Sequence, residues 1–165
     1  MACPVFVPGR YVALRLHIHC IGRPDELYTP PIETLVTMIG AYATLNVRHV
    51  RPPGAQDGSP LALAREADAL RRSWPNRAYA VALSAEGKRH DTETFARWLD
   101  RRRQEDRPVL FLVGGAYGLD AGLKSACREV MSLSSLTLSH RVALLVLVEQ
   151  VYRGLTILNG HPYNK

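Results

Sequence analysis

The residues best able to do chemistry fall in a few short stretches. Gly114-Gly115-Ala116-Tyr117-Gly118 follows directly on an apolar run at 109–113. Glycines let a backbone approach a ligand closely, and the carboxyl end of a buried strand is where open α/β sheets bind ligands. The spacing lacks the further glycine of a dinucleotide fingerprint, so a plain strand-to-helix turn fits it equally well. Ser84-Ala85-Glu86-Gly87-Lys88 follows a second apolar run, at 78–83. Two glycine-bearing loops at one sheet edge predict a pocket between them.

The closing His161-Pro162-Tyr163-Asn164-Lys165 is polar and aromatic. His161 and Tyr163 can handle a proton or stack on a base, whereas the Asn164 amide cannot act as a base near neutral pH. His17 and His19 alternate onto one face of the first predicted strand. A metal site would need further ligands that the sequence does not place nearby, so a solvated face is the expectation. His140 reads as a capping residue at the start of the last helix.

These groups need elements to hold them. The alternation of Leu14, Leu16, Ile18 and Cys20 predicts a half-buried strand. A helix is expected over 32–45 and a short strand over 47–50. Ser59 before Pro60 reads as an N-cap with proline in the first turn, followed by an apolar stripe of Leu63, Ala67, Leu70 and Trp74. The runs at 78–83 and 109–113 are continuous, the mark of strands covered on both faces. Between them, 92–104 is expected to be a helix with Phe95, Trp98 and Leu99 inward and Arg101, Arg102 and Arg103 outward. A helix from 120 to about 130, a final strand at 136–138 and a long helix over 141–158 complete the order. The alternation predicts an α/β fold with a mainly parallel sheet flanked by helices.

The last helix is unusually apolar. Between 142 and 158 only Glu149, Gln150, Arg153, Gly154 and Thr156 interrupt it. A helix apolar nearly all round needs cover on nearly all sides. Either a subunit interface or a central position in the core would provide it.

The 165 residues fit one domain, with residues 1–13 as a leader. With 47% hydrophobic and 22% charged residues, disorder and a disulfide scaffold are excluded. No apolar run approaches the roughly 18 to 20 residues of a membrane span. Cys3, Cys20 and Cys127 are odd in number and lack metal-type spacing, and no secretory signal is evident, so a cytoplasmic location is expected. The net charge of +6 rests on 18 Arg and 3 Lys against 15 acidic residues. Arginine suits phosphate and base stacking, which favours an RNA or nucleotide partner.

Four segments stand in a recognisable order: 109–115 with Gly118-Leu119, then 132–140, then Glu149-Gln150-Val151-Tyr152-Arg153, then His161-Pro162-Tyr163. In this the chain resembles the RlmH (YbeA-like) family of SPOUT-superfamily ribosomal RNA methyltransferases, over about 14–165. The resemblance implies a SPOUT-type fold with a C-terminal trefoil knot at about 108–165, and a homodimer with the last helix packed across it. It implies S-adenosyl-L-methionine as cofactor, touched by Leu83, Gly87, Gly114, Gly115, Gly118 and the loop bearing Leu133, Ser134, Leu136 and Leu138. It further implies methylation of N3 of a pseudouridine in helix 69 of 23S rRNA on the assembled ribosome, with no metal. The C-terminal tail, His161 and Tyr163 included, would cover the pocket of the partner subunit. Arg153, or Arg141, would favour the N3 anion electrostatically.

The chain departs from the family at named positions. Asn164 stands where a histidine is usual, Leu144 where an arginine is usual, Ser139 where a proline is usual, and Ala116-Tyr117 where Pro-Glu or Ser-Asn is common. Three readings are therefore carried forward: an active enzyme of this kind, an RNA-binding protein with little catalysis, and a SPOUT enzyme acting on another RNA.

Overall fold

The computed structural model describes residues 13–52 and 54–164, so residues 1–12 of the expected leader lie outside the described residues. Strands β1 (Arg15–Ile21), β2 (Thr44–Val50), β3 (Tyr79–Arg89), β4 (Val109–Val113) and β5 (Glu129–Ser132) form one sheet in the order β2-β1-β4-β3-β5. Every pairing is parallel. The helices are α1 (Thr29–Ile39), α2 (Pro60–Arg72), α3 (Thr92–Arg103), α4 (Ala121–Ala126) and α5 (His140–Leu158), with a 3-10 turn at Pro162–Asn164.

Period-two alternation sorts each central strand between two cores. Val109, Phe111 and Val113 face one side with Leu16, Ile18 and Val81, under Phe95, Trp98, Leu147 and Val151. Leu110 and Leu112 face the other side with Ile21 and Ala82, under Ala67, Leu70 and Leu123. Helices α1, α3 and α5 thus cover one face and α2 and α4 the other. The expected N-cap of α2 forms, with Ser59 Oγ accepting from the Ala62 amide at 3.2 Å.

Several expectations are corrected. Strand β1 is interior, not half-buried: His19 is 2% exposed and its Nδ1 lies 3.1 Å from Ser73 Oγ at the end of α2. Burial is the main cause that pushes its pKa down to about 4, with His17 and Arg48 adding to it. Helix α1 begins earlier and ends earlier than expected, because the two prolines fit its first turn and Thr44 and Leu45 pair with β1. Helix α4 stops at Ala126, and the last strand is 129–132, not 136–138. Arg102 turns inward, its guanidinium 4.2 Å from the Tyr79 ring centroid and ion-paired with Glu105 at 2.6 Å.

Helix α5 takes the core position. Leu144, Leu147, Val148, Val151 and Leu155 are buried within this chain, against α1, α3 and the sheet. Gly154 permits the close crossing, since a Cβ there would lie 2.8 Å from Leu99 Cδ1. Its apolar character therefore gives no argument for a subunit interface at Val148 or Leu155.

Candidate functional site

A cavity of about 270 Å³ opens at the carboxyl ends of β4 and β5 and at the middle of β3. Three segments and a helix terminus build it. Leu83, Ser84 and Ala85 come from β3 at a break in its register. Leu83 and Lys88 both stand opposite Met131, so the residues between them leave the ladder, and Ser84 and Ala85 reach the cavity. Val113, Gly114, Gly115, Ala116 and Gly118 come from the turn after β4. This turn is tight: Gly118 N–H donates to the Gly115 carbonyl at 3.1 Å, and Gly118 has φ of +80°. A Cβ on Gly114 would lie 2.5 Å from the Gly118 backbone, closer than side-chain atoms come. The third wall is the loop after β5, with Leu133, Ser134, Leu136, Thr137 and Leu138. Ser132 Oγ donates to the Ser134 carbonyl at 2.8 Å, and the Leu136 amide donates to Ser134 Oγ at 2.9 Å, which fixes the loop's shape.

Helix α5 closes the site with His140 and Ala143. Its N-cap is Ser139, whose Oγ accepts from the Val142 amide at 3.4 Å; His140 is instead the first helical residue. Burial, then Arg141, lowers the His140 pKa below 6.5, while Asp25 opposes them. Arg141 pairs with Asp25 at 2.9 Å. Behind Gly115, where a Cβ would come 3.2 Å from Ile21 Cγ2, lies the Glu66 carboxyl. Glu66 is 7% exposed, and burial raises its pKa.

A second cluster forms on the far half of α5. Arg153 donates to Glu149 Oε1 through Nε at 2.9 Å, and its guanidinium stands 4.8 Å from the Tyr163 ring centroid. Tyr163 packs edge-on against Tyr152, with centroids 4.6 Å apart, and its hydroxyl donates to Glu149 Oε1 at 3.4 Å. Burial and the Glu149 carboxylate raise the Tyr163 pKa, so the phenol stays protonated and acts as a donor. The Glu149 hydrogen bond is the main cause that raises the Arg153 pKa, so the guanidinium stays charged. His161 is exposed beside it, its Nδ1 accepting from the Tyr163 amide at 3.3 Å.

The structure brings Leu83, Gly114, Gly115, Gly118, Leu133, Ser134, Leu136 and Leu138 together around one cavity. It does not bring Gly87 there. A Cβ on Gly87 would lie 2.6 Å from the Met131 backbone, so this glycine lets the β3 excursion press on β5. Nor does it bring the tail there. Glu149 follows His140 by nine residues, which is roughly 14 Å along a helix, and Arg153 lies roughly 20 Å along it. Arg141 is at the cavity end, but Leu144 is 2% exposed and offers no charge. Sequence reasoning placed Ser84 and Thr137 only as members of pocket-lining loops, and it missed Ser132 and His140. Their signal was position alone: each adjoins the end of a strand or the start of α5. Among the described residues, no three His, Cys, Asp or Glu side chains group as metal ligands would.

Comparison with known proteins agrees with this architecture. Residues 14–164 match the family model described as "Predicted SPOUT methyltransferase". A protein of an Anaeromyxobacter species named "Ribosomal RNA large subunit methyltransferase H" is 35% identical over 153 residues, covering 92% of this chain and all of that one. Proteins of the same name from a Nitratiruptor species and from Polynucleobacter necessarius are 36% and 41% identical, covering 92% and 76% of this chain and 99% and 87% of their own lengths. Among solved structures, that of a probable methyltransferase from Bordetella pertussis Tohama I superposes with a TM-score of 0.51 at 15% identity, covering 86% of this chain and 93% of that one. At that identity the likeness speaks for the fold alone.

Proposed function

The chain belongs to the SPOUT methyltransferase family, and from that premise we propose that it methylates the large-subunit ribosomal RNA with S-adenosyl-L-methionine. The curated relatives, matched over most of their length and of this chain, support the RNA class. The finer reading is N3 of a pseudouridine in helix 69 of 23S rRNA, on the assembled ribosome.

The observation that carries this reading is the cavity at the ends of β4 and β5 and the middle of β3. Its residues fit the cofactor. The Gly114 and Gly115 positions leave backbone rather than side chain on the wall, and a Cβ at either would crowd the turn or its backing. Ser84, Ser132, Ser134 and Thr137 offer hydroxyls, and Leu83, Val113, Leu133 and Leu138 offer apolar surface for a purine and a methionine chain. The loop at 133–138 is neither helix nor strand, so its peptide groups are suited to a base edge. Bound there, S-adenosyl-L-methionine supplies a methyl group on a sulfonium, a strong electrophile. The protein's part is to align N3 with it, exclude water and remove the imide proton.

Tyr163 and Arg153 are the groups proposed to meet the target nucleotide, Tyr163 as donor or stacking surface and Arg153 as a fixed positive charge beside the N3 anion. His161 is proposed to sit at the rim. Because the tail stands well along α5 from the cavity, we place it over the cavity of a second copy in a homodimer. Half-buried Val142, Leu145 and Val146 on α5 supply apolar surface for that contact. Arg141, tied to Asp25, would favour negative charge from the cavity side.

Ribosomes lacking the modification test the reading. Purified protein with methyl-labelled cofactor is expected to place one methyl per large subunit, and calorimetry to show cofactor binding. Binding without transfer would favour an RNA-binding protein with little catalysis. Transfer to another RNA would favour a different substrate.

A further inference from the structure

A pseudouridine N3 carries a proton that must leave when the methyl arrives. The tail offers no acceptor on a rigid element: the Tyr163 phenol is held protonated, position 164 is an amide, and His161 is an exposed side chain beyond the end of α5. The cavity wall offers one. We infer that His140 is the proton acceptor of the methyl-transfer step, a catalytic role that rests on the methyltransferase reading above.

Three features of its placement carry this. His140 lines both the donor cavity and a pit of about 10 Å³ shared with Asp25 and His49. Its backbone is fixed by the Ser139 cap at the start of a 19-residue helix, so the ring stands on a rigid element. No hydrogen bond or ion pair engages its ring nitrogens among the described residues; Gly22, having no side chain, leaves the space beside Nε2 open, where a Cβ would come to 3.5 Å. A neutral imidazole with a free lone pair at the reacting cavity is what a general base requires.

The surroundings favour that neutral form. The charged and titratable groups facing His140 are Cys20 on β1, Arg23 and Asp25 after β1, Tyr28 before α1, His49 on β2, and Arg141 on α5. Burial and Arg141 disfavour the imidazolium, and Asp25 partly offsets them. The positive end of α5 acts in the same direction as Arg141. His140 is therefore deprotonated at neutral pH, and Asp25 stands by to steady the cation once it forms.

The step balances. The N3–H proton passes to an imidazole nitrogen, and the N3 electron pair forms the bond to the methyl carbon. The carbon–sulfur bond breaks with its electrons remaining on sulfur. Neutral imidazole becomes imidazolium as the sulfonium charge disappears, and the proton then leaves to solvent.

The test uses full-length protein and ribosomes lacking the modification, comparing wild type with His140→Asn and His140→Ala. Single-turnover transfer is expected to fall on the order of 10²–10⁴-fold in both variants, as for loss of a general base. Cofactor affinity by calorimetry should stay within about threefold, which also reports that the variants fold. Added imidazole should partly restore His140→Ala, which a merely structural role would not allow. In the protein alone, the NMR titration of the His140 ring should have its midpoint below 6.5. The wild-type rate should fall as pH drops through that same midpoint, and the variants should lack this limb. An active wild type with His140→Asn at the wild-type rate, or with the acid limb unchanged, overturns the assignment alone. A wild type that binds cofactor but methylates no ribosomal RNA overturns the reading beneath it, and the assignment with it.

Discussion

The two ends of α5 are built differently. Its first turn, His140 with Ala143, stands inside a cavity whose other walls come from this same chain. Its second half carries Glu149, Arg153 and the returning Tyr163, a polar and aromatic cluster that lies outside that cavity's lining. The cavity proposed for the donor is walled by one copy, while the groups proposed to meet the nucleotide lie roughly 14 to 20 Å along the helix. Under the proposed reaction, which needs both, a second copy's tail reaches the first copy's cavity. The apolarity of α5 is not the reason for that dimer, because its most apolar stripe is spent on the core.

The largest effect is expected where the two ends share a frame. Val148 is fully buried between them, so Val148→Asp should destabilise the fold by about 4 kcal/mol or more. Thermal denaturation should show it, with cofactor binding and transfer lost together. Monomers of unchanged stability would mean that this stripe is an interface after all. Next comes deletion of 161–165, which should lower transfer on the order of 10²–10³-fold through lost positioning of the nucleotide while cofactor affinity holds. Wild-type turnover without the tail would move the acceptor chemistry to the cavity end.

Gly115→Val tests the other end alone. Its Cβ would press on Ile21 at 3.2 Å and the Glu66 carboxyl at 3.5 Å. The branched side chain should weaken cofactor binding about 100-fold, near 2.8 kcal/mol, by displacing the turn. Calorimetry with unchanged affinity would detach this turn from the donor site. The smallest change is Arg153→Lys, which keeps the charge but loses the fork on Glu149 and the contact with the Tyr163 ring. Transfer should fall by about tenfold with cofactor affinity constant. A rate equal to wild type would leave Arg153 only its charge.

Much of the donor end was legible in the residues. Continuous apolar runs marked β3 and β4 as doubly covered strands, and the glycines after β4 marked a turn at the ligand-binding edge. What stayed hidden was set by tertiary placement. β5 is four residues long, with Glu129 bonded inward to Trp98 and Tyr79, and such a polar, short strand has no period to read. Leu136 and Leu138 alternate like a strand but sit in the loop that walls the cavity. The solvated face expected for His19 failed because β1 has neighbours on both edges and helices on both faces. The tail's proposed role rests on family resemblance, since nothing in its composition says which copy it serves.

That question bears most directly on the account. Protein carrying Gly115→Val keeps its tail but has a blocked cavity, and protein lacking 161–165 keeps its cavity but has no tail. Each alone should be nearly inactive on ribosomes lacking the modification. Unfolded and refolded together in equal amounts, they should form mixed dimers in which one cavity meets one tail. Transfer should then recover to about a quarter of the wild-type rate, since half the dimers are mixed and each has one complete site. A mixture as inactive as its components would contradict a site shared between two copies.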